Sequence, residues 1–182
     1  MRCWKRPVKR ENAKSSGQDV DIAHEISHSA SDAFLTLTAH PGSNDAKVRE
    51  TVVHGQWDAA LRDLDFVLGL DDNGDSVIAW GELCRHQPSI LHYTYTHIRL
   101  SGDGSPCRIL PTRQLVDYRA DGAYAVLMFD VVCRGAPKRL TLAYQLFFEV
   151  DPSHRAIFVL RNGNKIATSV LSPEKAEIDL DL

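Results

Sequence analysis

The chain has 182 residues and a net charge of −3, from 21 basic and 24 acidic side chains. Hydrophobic residues make up 43% and charged residues 25%, the balance of an ordinary globular domain with one sizeable core. That charge offers no general attraction to nucleic acid or an anionic membrane, and no apolar run approaches the roughly 20 residues that span a bilayer.

Basic residues open the chain (Arg2, Lys5, Arg6, Lys9, Arg10), but residues 11–21 are polar where a secretory signal would continue with about 7–15 apolar residues. No signal peptide is read, and composition assigns residues 1–27 to a disordered or atypical N-terminal tail. Residues 33–39 (AFLTLTA) alternate and carry β-branched side chains, which predicts a strand. Turn chemistry follows at 40–45 (HPGSND), and 48–56 returns as a second strand. Asp58 stands in an N-cap position. Leu61, Leu64 and Leu68 recur at helical spacing, predicting a helix over 59–69. A helix restarts at 80–86 and is interrupted at Pro88. In 89–100, Leu91, Tyr95 and Ile98 suit a helix face, while the Tyr-Thr-Tyr-Thr run suits a strand. The expected compromise is a helix passing into a strand near Ile98.

Beyond Ser101 the pattern is all β. A turn at 101–106 (SGDGSP) precedes strands at 107–119, 124–133 and 140–150. In the last, Leu140, Leu142, Tyr144, Leu146, Phe148 and Val150 fall on one face. Strands at 156–160 and 165–171 flank Arg161-Asn162-Gly163-Asn164, whose Asn-Gly step signals a hairpin. This spacing favours a β-sandwich over a barrel. The expected fold is mainly β (α+β), an Ig-like β-sandwich over residues 28–175. A helix–calcium loop–helix is inserted at about 58–100, and 176–182 form a C-terminal tail.

Residues 71–82 (DDNGDSVIAWGE) match an EF-hand-type calcium loop. Calcium is a hard cation that takes six to eight oxygen ligands. Asp71, Asn73 and Asp75 offer side-chain oxygens at alternate positions, Val77 its backbone carbonyl, and Glu82 two carboxylate oxygens. Ala79 has no ligating side chain, so water is expected there. Ile78 is the central apolar residue, expected to pack between the flanking helices. Ser76 stands where glycine normally makes the sharp turn, so a positive φ at some cost is expected. One weakly held calcium ion follows, with a dissociation constant of about 10⁻⁴–10⁻³ M. The competing reading is an acidic surface loop that caps a helix.

Four cysteines are present (Cys3, Cys84, Cys107, Cys133) with no CxxC pair to suggest zinc. Cys107 and Cys133 are either two buried thiols or a disulfide, which would require an oxidising compartment.

Several segments together carry a family resemblance. They are SDAFL at 31–35, QWDAALRDLD at 56–65, the acidic loop through WGEL at 80–83, DGAYAVL at 121–127, LFF at 146–148 with DPSHR at 151–155, and LSPE at 171–174. This pattern, covering roughly 28–175, resembles the extracytoplasmic N-terminal domain of HupE/UreJ-type membrane proteins, the hydrogenase/urease-accessory relatives. The resemblance implies a bacterial periplasmic or extracellular accessory module with a membrane-protein partner or membrane domain. It also implies an association with nickel or cobalt uptake. The sequence departs from the pattern in lacking a recognisable signal peptide and a membrane helix.

For a nickel or cobalt site, His24 and His28 are four apart, but their segment is polar and reads as solvated. His86, His92 and His97 share no face with an acidic partner. His154 follows Pro152 in a turn and is expected to serve turn hydrogen bonds. No GxSxG, HExxH or phosphate-cradling glycine loop occurs. The expected function is a non-enzymatic, calcium-binding extracytoplasmic accessory domain in which calcium stabilises the fold. The alternative is a nickel- or cobalt-handling module.

Overall fold

Alternation of apolar and polar side chains places most of the second half of the chain, and its first strands, in two sheets. The computed structural model describes residues 31–39 and 50–182. In chain order the elements are β1 (Asp32–Ala39), β2 (Glu50–Ala60), α1 (Leu61–Leu68), α2 (Trp80–His97), β3 (Ile98–Gly102), β4 (Ser105–Pro106), β5 (Arg108–Arg119), β6 (Gly122–Arg134), β7 (Arg139–Tyr144), β8 (Arg155–Asn162), β9 (Lys165–Leu171) and β10 (Glu177–Asp181). The fold is mainly β with two helices, a sandwich-like α+β arrangement. One sheet has six strands in the order β5-β6-β2-β1-β8-β9, and the other has four, β10-β7-β3-β4. All pairs in the larger sheet are antiparallel except β1 with β8.

The period of two puts Leu35, Leu37, Trp57, Phe129, Phe158 and Leu160 on the inner face of the larger sheet. Leu100, Leu140, Leu142, Tyr144 and Leu180 meet them from the smaller sheet. Trp57 Nε1 donates to Tyr144 Oη at 3.4 Å, joining the two sheets through the core. Gly55 faces Phe129 so closely that an added Cβ would lie 2.2 Å from the ring, so only glycine fits beneath it.

The helical segment lies between the early and late strands. Leu61, Leu64, Leu83, Ile90 and Leu91 bury into the same core. Tyr93 donates to Glu149 at 2.6 Å and accepts the Phe147 N–H at 2.9 Å, fastening α2 to the turn after β7.

Four expectations require correction. Asp58 does not cap a helix. Strand β2 runs on through Ala60, and Asp58 lies within it, buried and ion-paired to Arg119. Arg119 also lies 4.1 Å from the Tyr124 ring centroid. Pro88 does not interrupt α2, which continues to His97 before the chain turns extended at Ile98. The strand expected over 140–150 ends at Tyr144, because Phe147 takes a left-handed φ of 67° and is fully buried against Trp57 and His154. Burying an aromatic ring of this size outweighs that local strain. Residues 176–182, expected as a tail, contain β10, which pairs with β7 along Glu177–Asp181.

Cys107 and Cys133 form a disulfide, with Cα atoms 4.4 Å apart. Cys107 N–H also donates to Leu100 O at 2.9 Å. The bridge therefore locks the point where the chain leaves the smaller sheet and enters the larger one. Cys84 is disulfide-bonded as well. Closing a loop of 26 residues by the 107–133 bridge contributes about 3.5 kcal/mol in the chain-entropy account. Replacing Cys107 and Cys133 together by serine is expected to lower the free energy of urea unfolding by about that amount.

Candidate metal centre

A loop between two helices exposes backbone N–H groups that need acceptors. Helix α1 ends at Gly69, whose φ of 60° reverses the chain and whose N–H returns to Asp65 O. Asp65 Oδ1 then accepts the Leu70 and Asp71 N–H groups at 2.6 and 2.9 Å, fixing the loop's entry. This role of Asp65 was not read from the sequence. A carboxylate in the last turn of a helix, just before a run of unpaired amides, was the available signal.

Within the loop Asp71, Asn73 and Asp75 turn their side chains onto the backbone ahead of them. Asp71 Oδ1 accepts from Gly74 and Asp75 N–H at 2.8 and 3.3 Å, and Oδ2 from Ser76 N–H at 2.7 Å. Asn73 Oδ1 accepts from Asp75 N–H at 2.9 Å, and Asp75 Oδ1 from Val77 N–H at 2.8 Å. These are nested Asx turns, the means by which short acidic side chains wind a loop. Ser76 adopts a φ of 65°, the left-handed turn expected there. Residues 72–77 are exposed, while Leu70 is fully buried and Ile78 packs against the core.

Glu82 closes the loop from the first turn of α2. Its Oε2 accepts from Ala79 N–H at 2.7 Å and its Oε1 from Asp72 N–H at 3.1 Å. Ala79 offers no side-chain acceptor, and Glu82 reaches back to its backbone N–H at the helix start. Asp72 is clamped on the outside by Arg85 at 2.6 Å and His86 at 2.8 Å. Hydrogen bonds from His86 and Arg85 hold the Asp72 carboxyl below the ordinary carboxylate range. The Asp71, Asn73, Asp75 and Glu82 oxygens thus accept from backbone amides. Asp71 Oδ1 takes two and has both lone pairs engaged, while Asp71 Oδ2, Asp75 Oδ1 and both Glu82 oxygens take one amide each and keep a second lone pair. The donor set is all oxygen, which suits a hard cation. Among the described residues, no three His, Cys, Asp or Glu side chains are drawn together as a metal-ligand cluster.

The histidines are dispersed. His86 is held by Asp72, and His97 Nδ1 lies 2.7 Å from Tyr93 O. His92 is exposed. His24 and His28 lie outside the described residues.

His154 is placed differently from expectation. It is fully buried, stacked on Tyr144 and packed on Phe147, with Nδ1 bonded to Ser31 Oγ and Nε2 3.0 Å from Tyr144 Oη. Trp57 donates to Tyr144, so the Tyr144 hydroxyl donates to Nε2 and Nδ1–H serves Ser31. Both ring nitrogens are satisfied by a neutral imidazole within the core. Asp63, nearby in α1, has one carboxylate oxygen without a hydrogen-bond partner, and burial pushes its carboxyl upward.

No protein-family model matches the chain, and no curated protein matches it.

Two measurements follow from this geometry. Ser76 holds a left-handed backbone with an exposed side chain, so Ser76→Gly is expected to raise unfolding free energy by about 0.5–1 kcal/mol without metal. Burial lowers the His154 pKa to about 4 from 6.5. The unfolded chain therefore binds more protons between those values, and stability falls as the pH drops from 6.5 towards 4. The loss is about 3 kcal/mol in urea unfolding, and His154→Gln is expected to flatten that slope.

Proposed function

We propose that this domain binds one calcium ion at residues 71–82 and uses it to stabilise the fold, as a non-enzymatic extracytoplasmic accessory or interaction module. The observation that carries the reading is the left-handed Ser76 inside a loop wound by Asp71, Asn73 and Asp75 and closed by Glu82 from the next helix. A surface cap needs an N-terminal acceptor such as Glu82. It does not need three further side chains at alternate positions or a non-glycine residue held at positive φ. The residues that would hold the ion are Asp71, Asn73, Asp75, the Val77 carbonyl and Glu82. When bound, calcium neutralises the carboxylates gathered on this loop and ties the start of α2 to the end of α1.

The Cys107–Cys133 disulfide supports an oxidising compartment, in keeping with the periplasmic or extracellular setting that the HupE/UreJ-type resemblance implies. In that setting calcium is abundant, and a weak site suffices. No helix among the described residues is long and apolar enough to cross a membrane. A membrane-protein partner belongs to the proposal through the resemblance alone. The nickel- or cobalt-handling alternative gains nothing from the dispersed histidines described above.

Binding to the native state alone stabilises by mass action. At a hundredfold excess over the dissociation constant, calcium is expected to add about 2.7 kcal/mol, read as a rise in melting temperature. Glu82→Gln keeps the side-chain shape and removes the charge, so it is expected to abolish most of that rise. An unchanged calcium response in E82Q would refute the ligand assignment.

A further inference from the structure

Sheet edges offer unpaired backbone groups, and proteins usually blunt them. Three of the four edges here are blunted. Strand β5 carries Pro111 beside a register shift, β4 is two residues long and ends in Pro106, and β10 presents Glu177, Asp179 and Asp181. Strand β9 has no proline and no bulge, and its one charge is Lys165 at its start. Among the described residues no strand pairs with its outer side, and its first residues line a groove of about 610 Å³ together with residues 179–182.

Three bulky side chains on the outward face of this corner are exposed: Ile157 at 40%, Ile166 at 62% and Val170 at 52%. Ile157 and Val170 are directly opposite across β8 and β9, with Thr168 two residues further along. The hairpin closes on Asn162 and Lys165 around Gly163-Asn164, with Gly163 at φ 56°. A two-residue hairpin of this kind makes its closing pair hydrogen-bonded, and bonding alternates from there. Lys165, Ala167, Ser169 and Leu171 therefore direct their backbone groups to β8. Those of Ile166, Thr168 and Val170 point to the open edge.

We infer that β9 pairs antiparallel with β9 of a second copy of this chain, centred on Thr168. That register sets Thr168 opposite itself and Ile166 opposite Val170 of the other copy, twice over. Every outward N–H and C=O of the three residues then meets a partner, and each apolar side chain meets an apolar one. A two-fold interface requires such a self-complementary surface. No like charges fall opposite one another: Lys165 faces Leu171. Lys175, whose ammonium bonds Ser169 Oγ at 2.8 Å, lies towards the opposite face. The two six-stranded sheets become one continuous sheet.

The test is sedimentation equilibrium of the full chain with Thr168→Pro beside it. Proline there removes an outward N–H that the monomer does not use. The wild-type chain is expected to be a dimer, and T168P to weaken it roughly tenfold or more while its melting temperature in dilute solution shifts by about 3 °C or less. A wild-type chain that stays monomeric at about 200 μM, or a dimer untouched by T168P, overturns the inference. Should T168P fail to fold, two paired variants decide. I166K/V170K sets lysine opposite lysine and is expected to abolish the dimer. I166K/V170E sets lysine opposite glutamate and is expected to restore it. Equal behaviour of those two variants overturns the register.

Discussion

The Asp71 carboxylate gathers three successive amides, from Gly74, Asp75 and Ser76, and the helical insertion depends on that gathering. Amides bent this tightly around one side chain force the left-handed step at Ser76. That step turns the chain back so that Ile78 meets the core and Glu82 reaches Ala79 and Asp72. Helix α2 then starts in a fixed place, and its length carries Tyr93 to the turn after β7. There Tyr93 holds the Phe147 amide and the Glu149 carboxylate. A surface loop with few apolar contacts of its own is thus coupled to the sandwich through one helix.

The same turn frames the buried polar chain. Phe147 packs on Trp57 and His154, while Ser31, His154, Tyr144 and Trp57 form one line of hydrogen bonds through the core. Buried polar groups are tolerable only when each has a partner, and here the neutral imidazole supplies one donor and one acceptor in the needed order. The line ties the beginning of β1 to β2, β7 and the start of β8. The Cys107–Cys133 bridge fastens the other crossing between the sheets. Core and covalent link thus hold the framework, and the loop adds the site proposed for calcium, whose occupation would bear on stability more than on shape.

Much of this was legible in the sequence, because period-two alternation survives wherever a strand has one wet face. β1, β5, β6 and β9, and the passage from helix to strand at Ile98, lie close to their expected positions. The loop's turn at Ser76 was legible too, since the side chains that wind it are its own neighbours. What escaped depended on distant partners. Asp58 looks like a cap until Arg119, 61 residues away, claims it. Leu146, Phe148 and Val150 continue an alternating pattern, but the pocket formed by Trp57, Tyr93 and His154 draws Phe147 out of the strand. β10 is short and acidic, and only its pairing with β7 makes it a strand. The hairpin also turns on Gly163-Asn164 and not on the Asn162-Gly163 step, because the positive φ falls on glycine at the first loop position.

Isothermal titration of the metal-free chain with calcium, with nickel titrated in parallel, tests the central claim most directly. The account predicts one calcium per chain, with a dissociation constant of about 10⁻⁴–10⁻³ M, and little heat from nickel. Nickel binding without calcium would contradict it, reducing the acidic loop to a helix cap and moving attention to the histidines.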